Sequence, residues 1–182
     1  MKPQQIKNII DGEVCFILGG GPSAVHVPHD NVITTNLGFR LNPEPLAMYF
    51  ADCDFYQKYE KEIVDVNATY WITVCPMMLM EQKWVVFHRN ATHLGEYNRV
   101  FGTNSGLHAI HLAMKMGADP IVLVGFDMND RTHFHGEYLM GENSVNKYVG
   151  EMEAVRGYNI ITTTENSGLS HIFPYRPLRE FV

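Results

Sequence analysis

The chain lacks most features that would assign it to a specialised class. It has only three cysteines in 182 residues, Cys15, Cys53 and Cys75. Their odd number and the absence of C-x-x-C spacing argue against a disulfide framework and a structural zinc site, and predict a reducing, cytoplasmic compartment. No apolar run approaches the ~20 residues needed to cross a bilayer. Residues 1–12 contain Lys2, Lys7 and Asp11 and no apolar signal-peptide core, so a soluble protein without a membrane span is expected. Positive charge is scarce as well. With 14 Lys and Arg against 20 Asp and Glu, the net charge of −6 excludes molecule-wide attraction for nucleic acid or an anionic membrane. The most basic stretch, Arg176 to Arg179, is too short for a nucleic-acid arm. There is no internal repeat, no low-complexity tract and no linker rich in Pro, Gly or Ser. A hydrophobic content of 46% suits one folded domain spanning residues 1–182.

What is present is an alternation of strand-like and helix-like segments. An amphipathic opening helix is predicted over 3–11. Strands are predicted at Val14–Leu18, Val32–Thr35, Leu46–Ala51, Thr69–Val74, Trp84–Phe87, Ile121–Val124 and Tyr158–Thr163. Helices are predicted over Asp54–Val64, from Asn104 or Ser105 to Gly117, and over Asn143–Arg156. This order predicts an α/β fold, a Rossmann-like three-layer α/β/α sandwich around a mostly parallel sheet. Ligands of such sheets bind at the carboxyl ends of the strands, where the crossover direction reverses.

The strand ends carry the chemistry. The first runs into Gly19-Gly20-Gly21-Pro22-Ser23. Bare backbone N–H groups in such a turn, beside a helix N-terminus, suit a phosphate, and Gly19, Gly21 and Ala24 satisfy the relaxed G-x-G-x-x-G/A pattern. The plain alternative is a tight turn. The second strand delivers Asn36, where an NAD-binding pattern would have an acid, which argues against NAD. The third delivers Asp52, with Asp54 behind it as a helix N-cap. Gly102-Thr103-Asn104-Ser105-Gly106 forms a second anion-compatible turn at the start of the long helix. The strand Ile121–Val124 ends in Gly125-Phe126-Asp127-Met128, with Asp127 expected to face the cleft.

Residues 129–142 read as a lid containing His133, His135 and Tyr138. The H-x-H pair suits general base work near neutral pH, with a slight preference for His135. No further ligand at recognisable spacing supports a metal there. His108 and His111 on the long helix read as structural, and His26 and His29 lie near the first loop with no specific role. No cysteine has a base partner in sequence and no G-x-S-x-G elbow exists, so nucleophilic catalysis has little support.

Taken together, these blocks resemble a known group. Gly19-Gly20-Gly21-Pro22-Ser23 is similar to the Gly-x-Gly-Pro-Ser loop of the bacterial lipooligosaccharide sialyltransferases. It is equally similar to that of a related Rossmann-like family containing motility-associated-factor glycosyltransferases and archaeal 6-hydroxymethylpterin diphosphokinases. Asn104-Ser105-Gly106 through Met116-Gly117-Ala118, then Ile121–Gly125-Phe126-Asp127-Met128, resembles their Thr-Ser-Gly, helix, Leu-Gly, strand, Gly-(Phe/Ile)-Asp signature. The tail Ser167-Gly168-Leu169, Phe173-Pro174 and Pro177-Leu178 resembles the related family's closing segment. This sequence departs in having Gly20 where an Asn is common, and in a short lid.

The resemblance implies a transferase using a nucleotide-activated donor, with a nucleotide sugar as ligand and a small molecule or glycan as acceptor. The glycine loop, Asn36, Ser105, Gly106 and Asp127 would hold the donor, and His133, His135 and Tyr138 would supply a base and phosphate contacts. A glycosyl transfer of this kind requires no cofactor. Diphosphate transfer from ATP is the alternative, with Mg²⁺ held by Asp52 and Asp127. A third reading is a non-enzymatic nucleotide-binding or assembly protein. Homo-oligomerisation is left open.

Overall fold

The β-branched and aromatic runs form seven strands in the computed structural model. They are Cys15–Leu18 (β1), Val32–Thr35 (β2), Ala47–Phe50 (β3), Tyr70–Thr73 (β4), Trp84–Val86 (β5), Ile121–Val124 (β6) and Ile160–Thr162 (β7). The structure describes residues 2–80, 83–89, 91–94, 96, 98–129, 131–136 and 143–182. The strands make one sheet in the order β5-β4-β3-β2-β1-β6-β7, and every pairing is parallel. The α-helices are Cys53–Ile63 (α1), Ser105–Met116 (α2) and Ser144–Met152 (α3).

Nearly every strand residue is buried because both faces of the sheet are covered, which explains apolar runs without polar alternation. Alternate residues face opposite layers. Ile17, Ile33, Tyr49 and Leu123 pack with Leu107, Ile110 and Met116 of α2 and Met152 of α3. Met48, Phe50, Trp71 and Trp84 pack with Tyr56, Tyr59 and Ile63 of α1. Phe16, Leu18, Val122 and Val124 are covered by Val27, Leu178 and Phe181.

The chain lays β1 to β5 outward in one direction, then α2 returns it across the sheet to place β6 on the other side of β1. The reversal falls between β1 and β6, and the neighbouring carboxyl ends leave a crevice there.

Four expectations of the fold need correction. Among the described residues, no helix lies between β1 and β2, so the helix N-terminus expected beside the glycine loop is absent. The opening segment is not an α-helix. Pro3–Ile6 forms a 3₁₀ turn, and Asn8, Ile10 and Gly12 then donate backbone N–H groups to the carbonyls of Lys115, Met116 and Gly117. The end of α2 has unsatisfied carbonyls, and pairing with them replaces helical bonds in the opening segment. The helix expected over 143–156 is shorter, ending at Met152 and continuing as a 3₁₀ turn over Glu153–Val155. The fourth concerns the cysteines: Cys53 and Cys75 form a disulfide, their Cα atoms 5.3 Å apart, while Cys15 is free and buried. The disulfide links the start of α1 to the segment after β4, and it removes the argument for a reducing compartment. Among the described residues, no helix is long and apolar enough to cross a membrane.

Candidate functional site

A cleft of about 520 Å³ opens at the carboxyl ends of the central strands. Its floor is the glycine loop after β1 and the Gly125–Met128 segment after β6. Asn36 after β2 and Asp52 after β3 extend it, the turn before α2 forms one wall, and Thr132 and His133 reach its rim.

The glycine loop is built differently from a bare amide cradle. The N–H groups of Gly19 and Gly21 donate to the carbonyls of Val124 and Gly125, both at 2.8 Å. Ser23 donates its N–H (3.1 Å) and its hydroxyl (2.9 Å) to Oδ2 of Asp127, and its Oγ lies 2.7 Å from the Thr164 hydroxyl. These glycines are required by close packing of protein against protein. A Cβ on Gly21 would lie 2.1 Å from Asp127 Oδ2, and one on Gly19 would lie 2.7 Å from the Gly125 carbonyl oxygen. A Cβ on Gly20 would meet His133 Nδ1 at 2.7 Å. All three glycines line the cleft, whereas Pro22 and Ser23, expected to hold the donor, are not among its lining residues.

Gly125 has φ 70°, and a Cβ there would sit 2.6 Å from that of Ala24. Two non-glycine residues of the cleft also adopt left-handed backbone, Asn36 (φ 49°) and Met128 (φ 52°). Asn tolerates that region, but Met does so at a cost that surrounding bonds must offset. The C-terminal tail provides them. Ser167 donates its hydroxyl to the Phe126 carbonyl at 2.6 Å, and Gly168 donates its N–H to the Asp127 carbonyl at 2.7 Å. The resemblance of the Ser167-Gly168-Leu169 tail thus has a structural counterpart: it clasps the end of β6.

The wall before α2 is organised by its cap. Asn104 accepts the Leu107 N–H at 2.8 Å, and Gly117 closes the helix in left-handed backbone at φ 88°. With Leu107 capped, the N–H groups of Ser105 and Gly106 are the first-turn donors beside the cleft, at the positive end of the helix dipole. Two buried histidines of α2 hold the approach to this turn. His108 Nε2 faces the Gly102 carbonyl (2.9 Å) and its Nδ1 faces the Tyr49 hydroxyl (2.6 Å). Since a carbonyl only accepts, Nε2 carries the proton and Nδ1 accepts from Tyr49. Burial lowers the His108 pKa and raises that of Tyr49, which keeps this arrangement neutral. His111 Nδ1 accepts the Phe101 N–H at 2.9 Å while Nε2 donates to the Leu94 carbonyl at 2.6 Å, and burial pushes its pKa down to about 4. Both are structural, as expected from the sequence.

The facing wall comes from α1. Asp54, Phe55, Lys58 and Tyr59 line it, and of these sequence reasoning identified only Asp54, as a cap. The N-cap position is Asp52, with no side-chain cap bond, and Asp54 sits in the first turn. The Asp52 carboxylate pairs with Arg89 at 3.0 Å. Asp52 and Asp127, which the diphosphokinase reading would assign to Mg²⁺, are thus each engaged by protein donors. Among the described residues, no group of three or more His, Cys, Asp or Glu side chains is arranged to hold a metal ion.

At the rim, His133 Nδ1 lies 3.1 Å from the Gly20 carbonyl oxygen, so Nδ1 carries the proton, and Nε2 is buried away from the cleft opening. His135 stacks on it, the ring centroids 5.0 Å apart, and is not among the residues lining the cleft. Tyr138 and much of the lid lie outside the described residues. Tyr148 of α3 lines the cleft and carried no sequence signal. His26 bonds the Leu41 carbonyl and His29 packs on Phe16, neither lining the cleft. Burial pushes the free Cys15 thiol up, which removes it as a nucleophile.

No protein-family model and no curated protein matches this sequence. Solved structures do. The chain superposes on the sialyltransferase CST-II in complex with a trisaccharide acceptor and CMP, with a TM-score of 0.63 at 13% identity over 91% of this chain and 86% of that one. The monofunctional α-2,3-sialyltransferase Cst-I from Campylobacter jejuni gives a TM-score of 0.61 at 17% identity, over 92% and 81%. A CstII structure from the same organism with a substrate analogue, cytidine-5′-monophosphate, gives 0.58 at 16%, over 92% and 86%. The chain shares the fold of these sialyltransferases. At this identity the likeness is one of architecture, and the family named from the sequence motifs has the same architecture.

Proposed function

We propose that the chain is a glycosyltransferase-like enzyme that takes its donor from a nucleotide sugar, with CMP-activated sugars as the first candidates. The observation that carries this reading is the cleft at the β1/β6 reversal. It has the start of α2, at Ser105 and Gly106, on one wall, aromatic side chains of α1 on the other and His133 at the rim. CMP occupies the similarly folded CST-II, which makes it the first ligand to try. Ser105 and Gly106 would stabilise the leaving phosphate, while Phe55 and Tyr59 offer surfaces for the base or sugar. His133 is the better-placed base because it lines the cleft, whereas His135 backs it; this reverses the slight preference from sequence. His133 Nε2 is buried in this structure, so the ring must turn toward the cleft before Nε2 can take the acceptor hydroxyl's proton as the glycosyl bond to the donor phosphate breaks.

The test is release of the nucleoside monophosphate from CMP-sugars in the presence of glycan acceptors. His133→Ala should lower turnover by about 10²–10⁴-fold with donor affinity nearly unchanged. Full activity in a His133→Ala, His135→Ala double variant would remove both histidines from the mechanism. Binding of nucleotide without turnover by any acceptor would favour the binding-protein reading instead.

A further inference from the structure

Glu151 is remote from the motifs, yet its carboxylate holds the turn that starts α2. One oxygen accepts the Thr103 N–H at 3.0 Å and the Asn104 side-chain N–H at 3.2 Å, and the other accepts the Thr103 hydroxyl. Asn104 is therefore held from both ends. Its amide nitrogen is fixed by Glu151, which leaves its oxygen turned to cap Leu107. The turn follows Gly102, which adopts left-handed backbone at φ 98° and packs closely against Leu107. The His108 contact to the Gly102 carbonyl secures the turn from the core, and Glu151 secures it from α3. Glu151 also lies three residues after Tyr148, on the same face of α3. One helix thus sets both the turn and an aromatic side chain of the cleft.

We propose that Glu151 is a positioning residue for the donor phosphate seat, an inference that rests on the donor reading above. By orienting Asn104 it sets where α2 begins, and so where the Ser105 and Gly106 N–H groups face the cleft. Its role is geometric rather than electrostatic, because a negative charge at that place works against an incoming phosphate. Glutamine separates the two. Its oxygen can accept the Thr103 and Asn104 N–H groups, and its amide nitrogen can donate to the Thr103 hydroxyl oxygen, so all three bonds survive without the charge. The nearby Lys147, 3.9 Å away and exposed, loses little with it.

The experiment is calorimetric titration of CMP into wild type, Glu151→Ala and Glu151→Gln, with amide exchange at Thr103 and Leu107 followed in the same three proteins. Glu151→Ala should weaken CMP by about tenfold or more and speed exchange at both amides. Glu151→Gln should stay within about threefold of wild type with exchange protection retained. Wild-type affinity in Glu151→Ala, or a Glu151→Gln as weak as Glu151→Ala, overturns the proposal. If the wild-type chain itself binds no CMP, the CMP reading fails on that ground. The exchange data then decide the clamp: protection lost in Ala and kept in Gln supports it, and protection unchanged in Ala overturns it.

Discussion

At the scale of single residues, the glycine loop illustrates how a motif can be legible while its cause is not. Gly19-Gly20-Gly21 after a strand signals a tight approach, and the sequence reading assigned that approach to a phosphate. In the fold it is filled first by the protein: Gly125 carbonyl oxygen, Asp127 Oδ2 and His133 Nδ1 stand where each Cβ would be. Those neighbours arrive from more than 100 residues away, so no local pattern could announce them. Gly21→Ala is therefore expected to cost about 1–3 kcal/mol, because Asp127 must leave Ser23 to make room. Urea denaturation checks this, and wild-type stability would show that the loop yields freely. Asp127→Asn should be milder, since its amide oxygen still accepts from Ser23.

At the scale of elements, strands buried on both faces were readable because continuous apolar runs have few alternatives. The opening 3₁₀ segment was not, because its hydrogen-bond partners are the last carbonyls of α2. The disulfide was hidden by an odd cysteine count and a 22-residue separation. Closing a loop of that length should contribute about 3 kcal/mol on the chain-entropy account, so reduction, or Cys53→Ala with Cys75→Ala, should lower stability by about that amount. No change on reduction would mean that the two thiols are unlinked in solution.

Helix α2 adds a pH dependence. Unfolded, His111 takes a proton near pH 6.5, whereas burial in the fold holds it to about 4. The unfolded chain binds more protons between these values, so stability is full above about pH 6.5 and falls as pH drops toward 4. The loss should be about 2–3 kcal/mol for His111, with His108 acting in the same direction. Denaturation midpoints across that range, compared with a His111→Asn variant of shallower dependence, measure it. Identical slopes would remove His111 as the cause.

At the scale of the whole molecule, strand alternation predicted the layers, and the order of the sheet then places the cleft. The signature residues Gly19 to Gly21, Asn36, Asp52, Asn104 to Gly106, Gly125 and Asp127 line one cavity, although they come from five separate parts of the chain. What remained invisible was the partner wall of α1 and the reach of α3, whose Phe55, Lys58, Tyr59 and Tyr148 follow only from packing. The central claim is that this cavity binds a nucleotide through its phosphate. The most direct measurement is calorimetric titration of wild-type protein with CMP and the other nucleoside monophosphates, each paired with its unphosphorylated nucleoside. The account predicts saturable binding of at least one monophosphate, about tenfold or more tighter than its nucleoside. Binding of none, or equal affinity for nucleotide and nucleoside, would contradict it.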